Sequence, residues 1–207
     1  MHPVVFEAFD AICRGRVAPR ARVLEVGATA SEDTLLRLPA LEAAGLRVGV
    51  NLECVSSAPG LDLVRVAADG LAAFPDGVFD VVLCNSVLEH DPRFWRTVKG
   101  MHRVARPGAL IVVGVPGFAD LPPTPLLRLA HRLSRLPGAA RLLERIAPGW
   151  GAATPTLVVH NYPGDYYRFS EQAMREVLLA GCTGVETQVV LRPPRIIGFG
   201  TTTASSG

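Results

Sequence analysis

The amino-acid sequence predicts an α/β domain whose doubly wound sheet is mostly parallel. Short apolar runs rich in β-branched residues alternate along the chain with longer segments of helical periodicity, which is the pattern of successive βαβ units. Several of these apolar runs end abruptly: one ends at Val26, before Gly27, and another ends at Cys84, before Asn85. Because open parallel sheets bind ligands beyond the carboxyl ends of their strands, the same pattern predicts a site at that edge.

Composition narrows the class of protein. The 207 residues suffice for one domain, and we predict that residues 1–207 form a single one. Hydrophobic residues make up 49% and charged residues 19%, which indicates a globular chain, and the net charge of +2 gives no indication of a nucleic-acid partner. The four cysteines show no CxxC pair or metal-ligand spacing, and no apolar run reaches the ~18 residues of a membrane span. The N-terminus lacks the features of a signal peptide. We therefore expect a cytoplasmic protein with no metal and no membrane span.

The first half of the chain predicts helices and strands in alternation. Residues 3–16 have the spacing of an amphipathic helix, which would pack on the domain or cover the ligand cleft. A further helix should begin near Ser31 and end before Gly45, with Pro39 kinking or splitting it. The predicted strands are residues 22–26, 46–52, 63–67 and 79–84, and residues 71–74 form a short turn or helix between the last two.

The second half continues the alternation around an insertion. Residues 91–105 predict a helix with Pro92 in its first turn, and residues 109–115 predict the fifth strand. Ser170 has the position of an N-cap for a helix over residues 170–180. Residues 185–191 and 196–199 predict the last two strands.

Five motifs carry a resemblance to a known family: VLEVG, GVNLE, AADG, FPDGVFDVVLCNSVLEH and VARPGALIVVGVP. In this order and spacing they resemble the class I S-adenosylmethionine-dependent methyltransferases, and most closely the methyltransferase 11 group. The resemblance covers about residues 22–117. It implies a Rossmann-like, seven-stranded sheet with one antiparallel edge strand, and S-adenosyl-L-methionine as cofactor.

The resemblance also implies which residues bind the cofactor. Glu25 and Gly27 would hold the methionine end, Asn51 or Glu53 the ribose hydroxyls, and Asp69 with the backbone of Gly70 the adenine edge. Asn85 and Ser86 would line the reacting sulfonium, and His90 would lie at the mouth of the site. The remaining residues of the implied set are Ala28, which follows the first motif, and Leu52 and Val87, which lie within the second and fourth.

Two departures from the family pattern support an alternative function. The family loop GxGxG is replaced by residues 27–31, GATAS, in which only Gly27 survives, and the acidic residue that usually ends the second strand is replaced by Asn51. An asparagine bonds a ribose hydroxyl less strongly than a carboxylate does. These changes suit a catalytically silent homologue that acts as a scaffold or regulatory partner.

Residues 118–160 predict a helical insertion after the fifth strand. The stretch reads as two short helices separated by Pro137-Gly138, with arginines on a leucine-rich surface. Three interpretations remain open: a lid over the acceptor site, a homodimer contact, or a helix at a membrane surface.

The segment His160 to Ser170 supplies further candidate catalytic residues, and it is similar to a segment in a subset of these methyltransferases. His160 or Asp165 could be the general base that takes a proton from an acceptor hydroxyl or amine, with His90 as a third candidate. In the alternative, Asp165 and Arg168 form an ion pair and the neighbouring tyrosines close the lid.

The sequence as a whole favours methyl transfer to a small-molecule or glycan-type acceptor. Oxygen is favoured as the methylated atom, and the arginines of the insertion favour an anionic acceptor. A nicotinamide-dependent oxidoreductase is disfavoured, because the G-x-G-x-x-G fingerprint is missing after the first strand.

Overall fold

The computed structural model describes residues 1–29, 34–51, 61–65, 68–118 and 164–203, with the backbone alone described for residues 62–65 and 68–70. The chain divides into two compact units, one formed by residues 1–117 and 159–207 and the other by residues 118–158. The predicted helical insertion falls on the second unit and, beyond Phe118, lies outside the described residues.

The first unit is built on one mixed sheet. Its strands are β1 (Arg22–Val26), β2 (Leu46–Asn51), β3 (Asp62–Arg65), β4 (Phe79–Asn85), β5 (Ala105–Pro116), β6 (Cys182–Val190) and β7 (Arg195–Thr202). They lie in the order β3-β2-β1-β4-β5-β7-β6. The pairs among β1 to β5 are parallel, and β7 runs antiparallel to both β5 and β6. The predicted α/β fold, mostly parallel with antiparallel pairing at one edge, is confirmed. The antiparallel strand, β7, lies one position in from the edge, which β6 forms.

The sheet is covered on both faces, which is why its central strands are apolar throughout. On one face, helix α1 (Pro3–Cys13) packs through Phe9 and Ile12 against residues such as Val81 and Leu83. On the other face, helix α2 (Phe94–Val104) packs through Met101 and other residues against the alternate positions of the same strands. The strands therefore bury both sets of side chains, as a doubly wound sheet requires.

The helix predicted from Ser31 to Gly45 is replaced, in the part that the structure describes, by two short 3-10 turns at Leu35–Arg37 and Pro39–Leu41. Leu38, between them, has an extended backbone with ψ 132°. The physical reason is Pro39, which has no N–H to donate and restricts the residue before it.

Two other helices are shorter than predicted. Helix α2 begins at Phe94 and not at residue 91, because Asp91 accepts hydrogen bonds from the Arg93 amide (2.8 Å) and the Thr97 hydroxyl (2.6 Å) and so forms the turn that precedes the helix. Helix α3 (Glu171–Ala173) is capped by Ser170 as predicted and continues as a π-helical turn over Met174–Leu178. Within the described ranges, no helix is long and apolar enough to cross a membrane.

Candidate functional site

The carboxyl ends of β1, β2 and β4 lie side by side and form what we call the carboxyl edge. Val26 is paired with Val50 on one side and with Cys84 on the other, so the residues after these strands are neighbours. The structure therefore brings together Gly27, Asn51 and Asn85, which the sequence had placed in one site.

The loop that follows β1 depends on a glycine. Gly27 has φ 88°, a conformation that residues with a side chain rarely adopt. A Cβ atom at Gly27 would overlap the Cγ2 methyl of Val87, so the loop lies directly against the turn after β4. The amides of Gly27 and Ala28 both donate to the Val50 carbonyl, at 2.8 and 3.1 Å. These two amides are therefore already hydrogen-bonded within the chain, and the loop would contact a ligand through its other atoms.

Asn51 ties the end of β2 to the same loop. Its side-chain Nδ2 donates to the carbonyl of Ala28 at 2.7 Å. An aspartate could not make this bond, because a carboxylate has no donor. The asparagine thus has a structural role that a sequence comparison with the acidic family residue does not reveal.

Glu25 points into the protein, where it is only 4% exposed. Its carboxylate accepts hydrogen bonds from the Thr34 hydroxyl and from the amides of Leu35 (3.1 Å) and Leu36 (3.2 Å). Burial raises the pKa of Glu25 to about 7, and the three donors oppose this shift without cancelling it. Glu25 therefore organises the 3-10 turn that begins at Leu35, and the structure shows its contacts within the chain.

Asn85 carries a buried polar atom that has no hydrogen-bond partner in the part of the chain that the structure describes, its Oδ1. The amide lies against Gly114 of β5, where any Cβ would overlap Oδ1 and would also meet the Phe9 ring of α1. An orphaned buried acceptor costs ~1–3 kcal/mol. Its position at the carboxyl edge, beside the Gly27 loop, makes it the clearest local indication of a ligand that donates a hydrogen bond.

The turn after β4, residues Ser86–His90, holds a charged network that sequence analysis missed. Glu89 is fully buried, and its Oε1 accepts a hydrogen bond from Nη1 of Arg195 at 3.3 Å. Nη2 of the same arginine donates to the Ser86 hydroxyl. The second oxygen of Glu89, Oε2, has no partner among the described residues. Arg195 could not be found from sequence, because it follows Glu89 by 106 positions and carries no motif.

His90 lies at the end of this turn in a defined orientation. Its Nδ1 is hydrogen-bonded to the carbonyl of Gly164. A carbonyl only accepts, so the proton is on Nδ1, and Nε2 carries the lone pair in the neutral ring. Nε2 lies 3.9 Å from Oε1 of Glu89.

Asp165 and Arg168 form the ion pair that was one of the two interpretations of their sequence. Nη1 and Nη2 of Arg168 donate to the two carboxylate oxygens of Asp165, the second at 2.6 Å. The Asp165 side chain is fully buried, and the hydrogen bond to Asp165 raises the pKa of the Arg168 guanidinium further. A carboxylate held in this way is a poor proton acceptor, so the geometry favours the structural role for Asp165.

An aromatic cluster attaches the segment after Gly164 to the start of α2. Phe94 packs edge-on against Tyr167 (ring centroids 5.0 Å apart) and Phe169 (5.3 Å). The Tyr167 hydroxyl donates to the Pro92 carbonyl at 3.1 Å. The outer rings, Trp95 and Tyr166, are 53% and 57% exposed. Tyr167 and Phe169 therefore fasten this segment next to the turn that carries His90.

The remaining predicted site residues are only partly described. The backbone of Asp69 and Gly70 lies in a 3-10 helix over Ala68–Ala73, shortly after β3. Leu52, Glu53 and His160 lie outside the described residues. Across the described ranges, no three histidine, cysteine, aspartate or glutamate side chains are placed to hold a metal ion. Cys84 is a fully buried core residue, and burial and then Glu89 raise the pKa of its thiol.

Comparison with known proteins gives one family match. The profile of the family described as "Methyltransferase domain" matches residues 40–113. No curated protein matches the chain.

Solved structures share the fold at low identity. A 1,6-didemethyltoxoflavin-N1-methyltransferase from Burkholderia thailandensis, with bound 1,6-didemethyltoxoflavin and S-adenosylhomocysteine, has a TM-score of 0.63 and 20% identity, over 96% of this chain and 78% of that one. A SAM-dependent methyltransferase from Methanosarcina mazei has a TM-score of 0.58 and 14% identity, over 99% of each chain. The [4+2]-cyclase SpnF has a TM-score of 0.61 and 13% identity, over 97% of this chain and 82% of that one. At these identities the likeness shows the fold alone.

The strand order and the strand-end site define a Rossmann-like fold of the methyltransferase type. The family match over residues 40–113 and the shared fold agree with the resemblance to the class I S-adenosylmethionine-dependent methyltransferases that the motifs carry.

Proposed function

We propose that this chain transfers the methyl group of S-adenosyl-L-methionine to a small-molecule or glycan-type acceptor, with oxygen favoured as the methylated atom. The observation that carries the proposal is the orphaned Oδ1 of Asn85, buried at the carboxyl edge beside a glycine that has no room for a side chain. The family match over residues 40–113 supports the same reaction.

The residues of the carboxyl edge fit this cofactor. The orphaned Oδ1 of Asn85 would accept a hydrogen bond from it, while the loop at Gly27 and Ala28 would lie along its methionine end. Asn51 or Glu53 would bind the ribose, and Asp69 with Gly70 the adenine edge, with Leu52, Ser86 and Val87 lining the cleft. The bound cofactor supplies a methyl group activated by a cationic sulfonium.

His90 is the candidate general base with described geometry. The Gly164 carbonyl fixes the tautomer, so Nε2 is the ring nitrogen that would take the proton of an acceptor hydroxyl or amine, and the Glu89 carboxylate lies 3.9 Å from it. His160 remains a second candidate, and Asp165 is disfavoured by its pair with Arg168. Alignment of the acceptor with the methyl group could supply roughly 7–11 kcal/mol of the barrier reduction.

Other features complete the proposal. We keep as a proposal the prediction from sequence that residues 118–160 are a helical insertion within a single domain 1–207 and serve as a lid. The arginines of this insertion suit an anionic acceptor. A homodimer contact and a helix at a membrane surface are the two alternatives for this segment. A reducing cytoplasm fits the free thiols of Cys13, Cys84 and Cys182.

A catalytically silent homologue is the second candidate function. It is favoured by the internal use of the Gly27 and Ala28 amides and of the Glu25 carboxylate, because these groups are already bonded within the chain. In this role the fold would serve as a scaffold or regulatory partner.

A methyl-transfer assay separates the two candidates. Formation of S-adenosylhomocysteine would be measured with a panel of hydroxyl, amine and phosphate-bearing acceptors. We expect turnover with at least one hydroxyl acceptor, and we expect His90→Ala to lower kcat by about 10²–10⁴-fold with little change in cofactor affinity. Arg106→Met is the control, since its half-exposed pair with Asp80 lies at the opposite end of β4. Full turnover by His90→Ala would remove its role as base, and cofactor binding without turnover on any acceptor would favour the silent homologue.

A further inference from the structure

We propose that Arg195 is a positioning residue for the cofactor site, which it shapes by holding the turn after β4 against the Gly27 loop. The inference rests on the proposed function as far as the ligand is concerned, because it names a residue that sets the shape of the same site. It uses contacts that no motif in the sequence indicates.

The direction of β7 explains how Arg195 reaches the site. The carboxyl ends of β1, β2, β4 and β5 lie at one edge, and β7 is antiparallel to β5, so β7 begins where the others end. Arg195, its first residue, pairs with Pro116 at the end of β5. The antiparallel strand β7 thus places the guanidinium of Arg195 at the carboxyl edge.

The guanidinium makes two contacts in the turn after β4. One nitrogen donates to the buried Glu89 carboxylate and the other to the Ser86 hydroxyl. The Arg195 side chain is itself only 22% exposed, and both contacts are partly buried. Such a forked donor fixes two acceptors relative to each other, which a single-point cation cannot do.

Ser86 is held in a conformation that it would not favour alone. Its φ is 58°, in the left-handed region, which is unfavourable for a residue with a Cβ. Its amide donates to the Gly114 carbonyl at 3.0 Å, and its hydroxyl is held by Arg195. The next residue, Val87, lies against Gly27. The shape of the β1 loop therefore depends on Ser86, and Ser86 depends on Arg195.

A double-mutant cycle on S-adenosylhomocysteine affinity tests this chain of contacts. By calorimetry, we expect Arg195→Met to weaken binding about tenfold when serine is present at position 86, since the turn would relax from its left-handed conformation. In the Ser86→Gly background, the same Arg195→Met change should weaken binding less than about twofold, because glycine adopts a positive φ without help. Arg195→Lys, which keeps the charge without the fork, should fall between wild type and Arg195→Met.

Arg106→Met is the matched control, because it breaks an arginine–carboxylate pair of β5 and β4 at the far end of the strands. It should leave the affinity unchanged. Equal losses from Arg195→Met in the wild-type and Ser86→Gly backgrounds, or no loss in either, would overturn the proposal.

Hydrogen exchange gives a second readout that needs no ligand. Arg195→Met should speed exchange at the Ser86 amide and in peptides covering residues 85–90, whereas Arg106→Met should not. If the wild-type protein binds no S-adenosylhomocysteine, the proposed function fails, and the exchange comparison alone decides the role of Arg195. If Arg195→Met does not fold, Arg195→Lys and Glu89→Gln take its place in the same comparison. Unchanged exchange in these variants would contradict the inference.

Discussion

At the scale of single residues, two polar side chains in motif positions differ in the hydrogen bonds that they make. Glu25 stands in the family's motif position, yet its carboxylate is bonded to residues 34–36. Asn85 also stands in a motif position, and its Oδ1 is left without a donor in the described part of the chain. The Glu25 carboxylate is therefore fully used within the chain, whereas the Asn85 Oδ1 has no hydrogen-bond donor among the described residues.

The raised pKa of Glu25, about 7 against 4.5 for an unperturbed group, predicts a pH dependence of stability. The native state binds this proton more tightly than the unfolded chain does, so this group's contribution to the free energy of unfolding falls as pH rises from about 4.5 to 7. The decrease would be up to about 3 kcal/mol, at about 1.36 kcal/mol for each pKa unit. Urea unfolding at several pH values measures it.

Glu25→Gln is the control for that slope, since glutamine cannot titrate. The fall in stability across this pH range should be smaller in the variant than in wild type. Identical slopes in the two proteins would mean that the Glu25 carboxylate does not have the raised pKa.

The separation of two paired residues along the chain decides whether their contact can be predicted from sequence. The Asp165–Arg168 pair was foreseeable because three positions separate the two residues. The Arg195–Glu89 pair was not, because 106 positions separate them and the contact exists only once β7 has joined the sheet. The tie from Asn51 to the Ala28 carbonyl was likewise hidden, since it depends on two strand ends meeting.

At the scale of elements, the loop after β1 and the turn after β4 behave as one unit. The Cγ2 methyl of Val87 occupies the space where a side chain at Gly27 would lie. Gly27 is thus required both because Val87 leaves no room for a side chain and because its φ is 88°.

Gly27→Ala is therefore expected to be more harmful than a glycine substitution that meets only a backbone penalty. Gly108 is the matched control, because its φ is 79° and nothing lies within 4 Å of the position that a Cβ atom would take there. We expect Gly108→Ala to cost about 1–2 kcal/mol and Gly27→Ala to cost at least about 1 kcal/mol more, because Val87 must move. Chemical denaturation measures both.

Truncation of Val87 completes that comparison. Val87→Ala should recover part of the extra cost of Gly27→Ala, because the overlapping methyl is gone. Equal costs for Gly27→Ala and Gly108→Ala would show that the loop and the turn are not in tight contact.

Sequence patterns predicted most elements, and the exceptions have local causes. The apolar runs of β1, β4 and β5 were recognisable because strands buried on both faces are apolar at nearly every position. The break at Pro39 was predicted, but the helix expected from Ser31 is replaced over the described residues by two 3-10 turns. The early start of α2 was wrong because Asp91 bonds its own local backbone instead of continuing a helix.

At the scale of the whole molecule, the order of the strands creates the site. The parallel strands bring Gly27, Asn51 and Asn85 to one edge, and the antiparallel β7 brings Arg195 to the same edge from the last part of the chain. The fold alone does not decide the chemistry, since a [4+2]-cyclase shares it. Which reaction a protein of this fold catalyses depends on the side chains at its carboxyl edge.

The most direct test of the central claim is a calorimetric titration of the purified protein with S-adenosylmethionine and S-adenosylhomocysteine. We predict micromolar binding of both, weakened by about 1–3 kcal/mol in Asn85→Ala because the buried amide would lose its ligand hydrogen bond. An absence of binding up to millimolar concentrations would contradict the account and direct the search to protein partners.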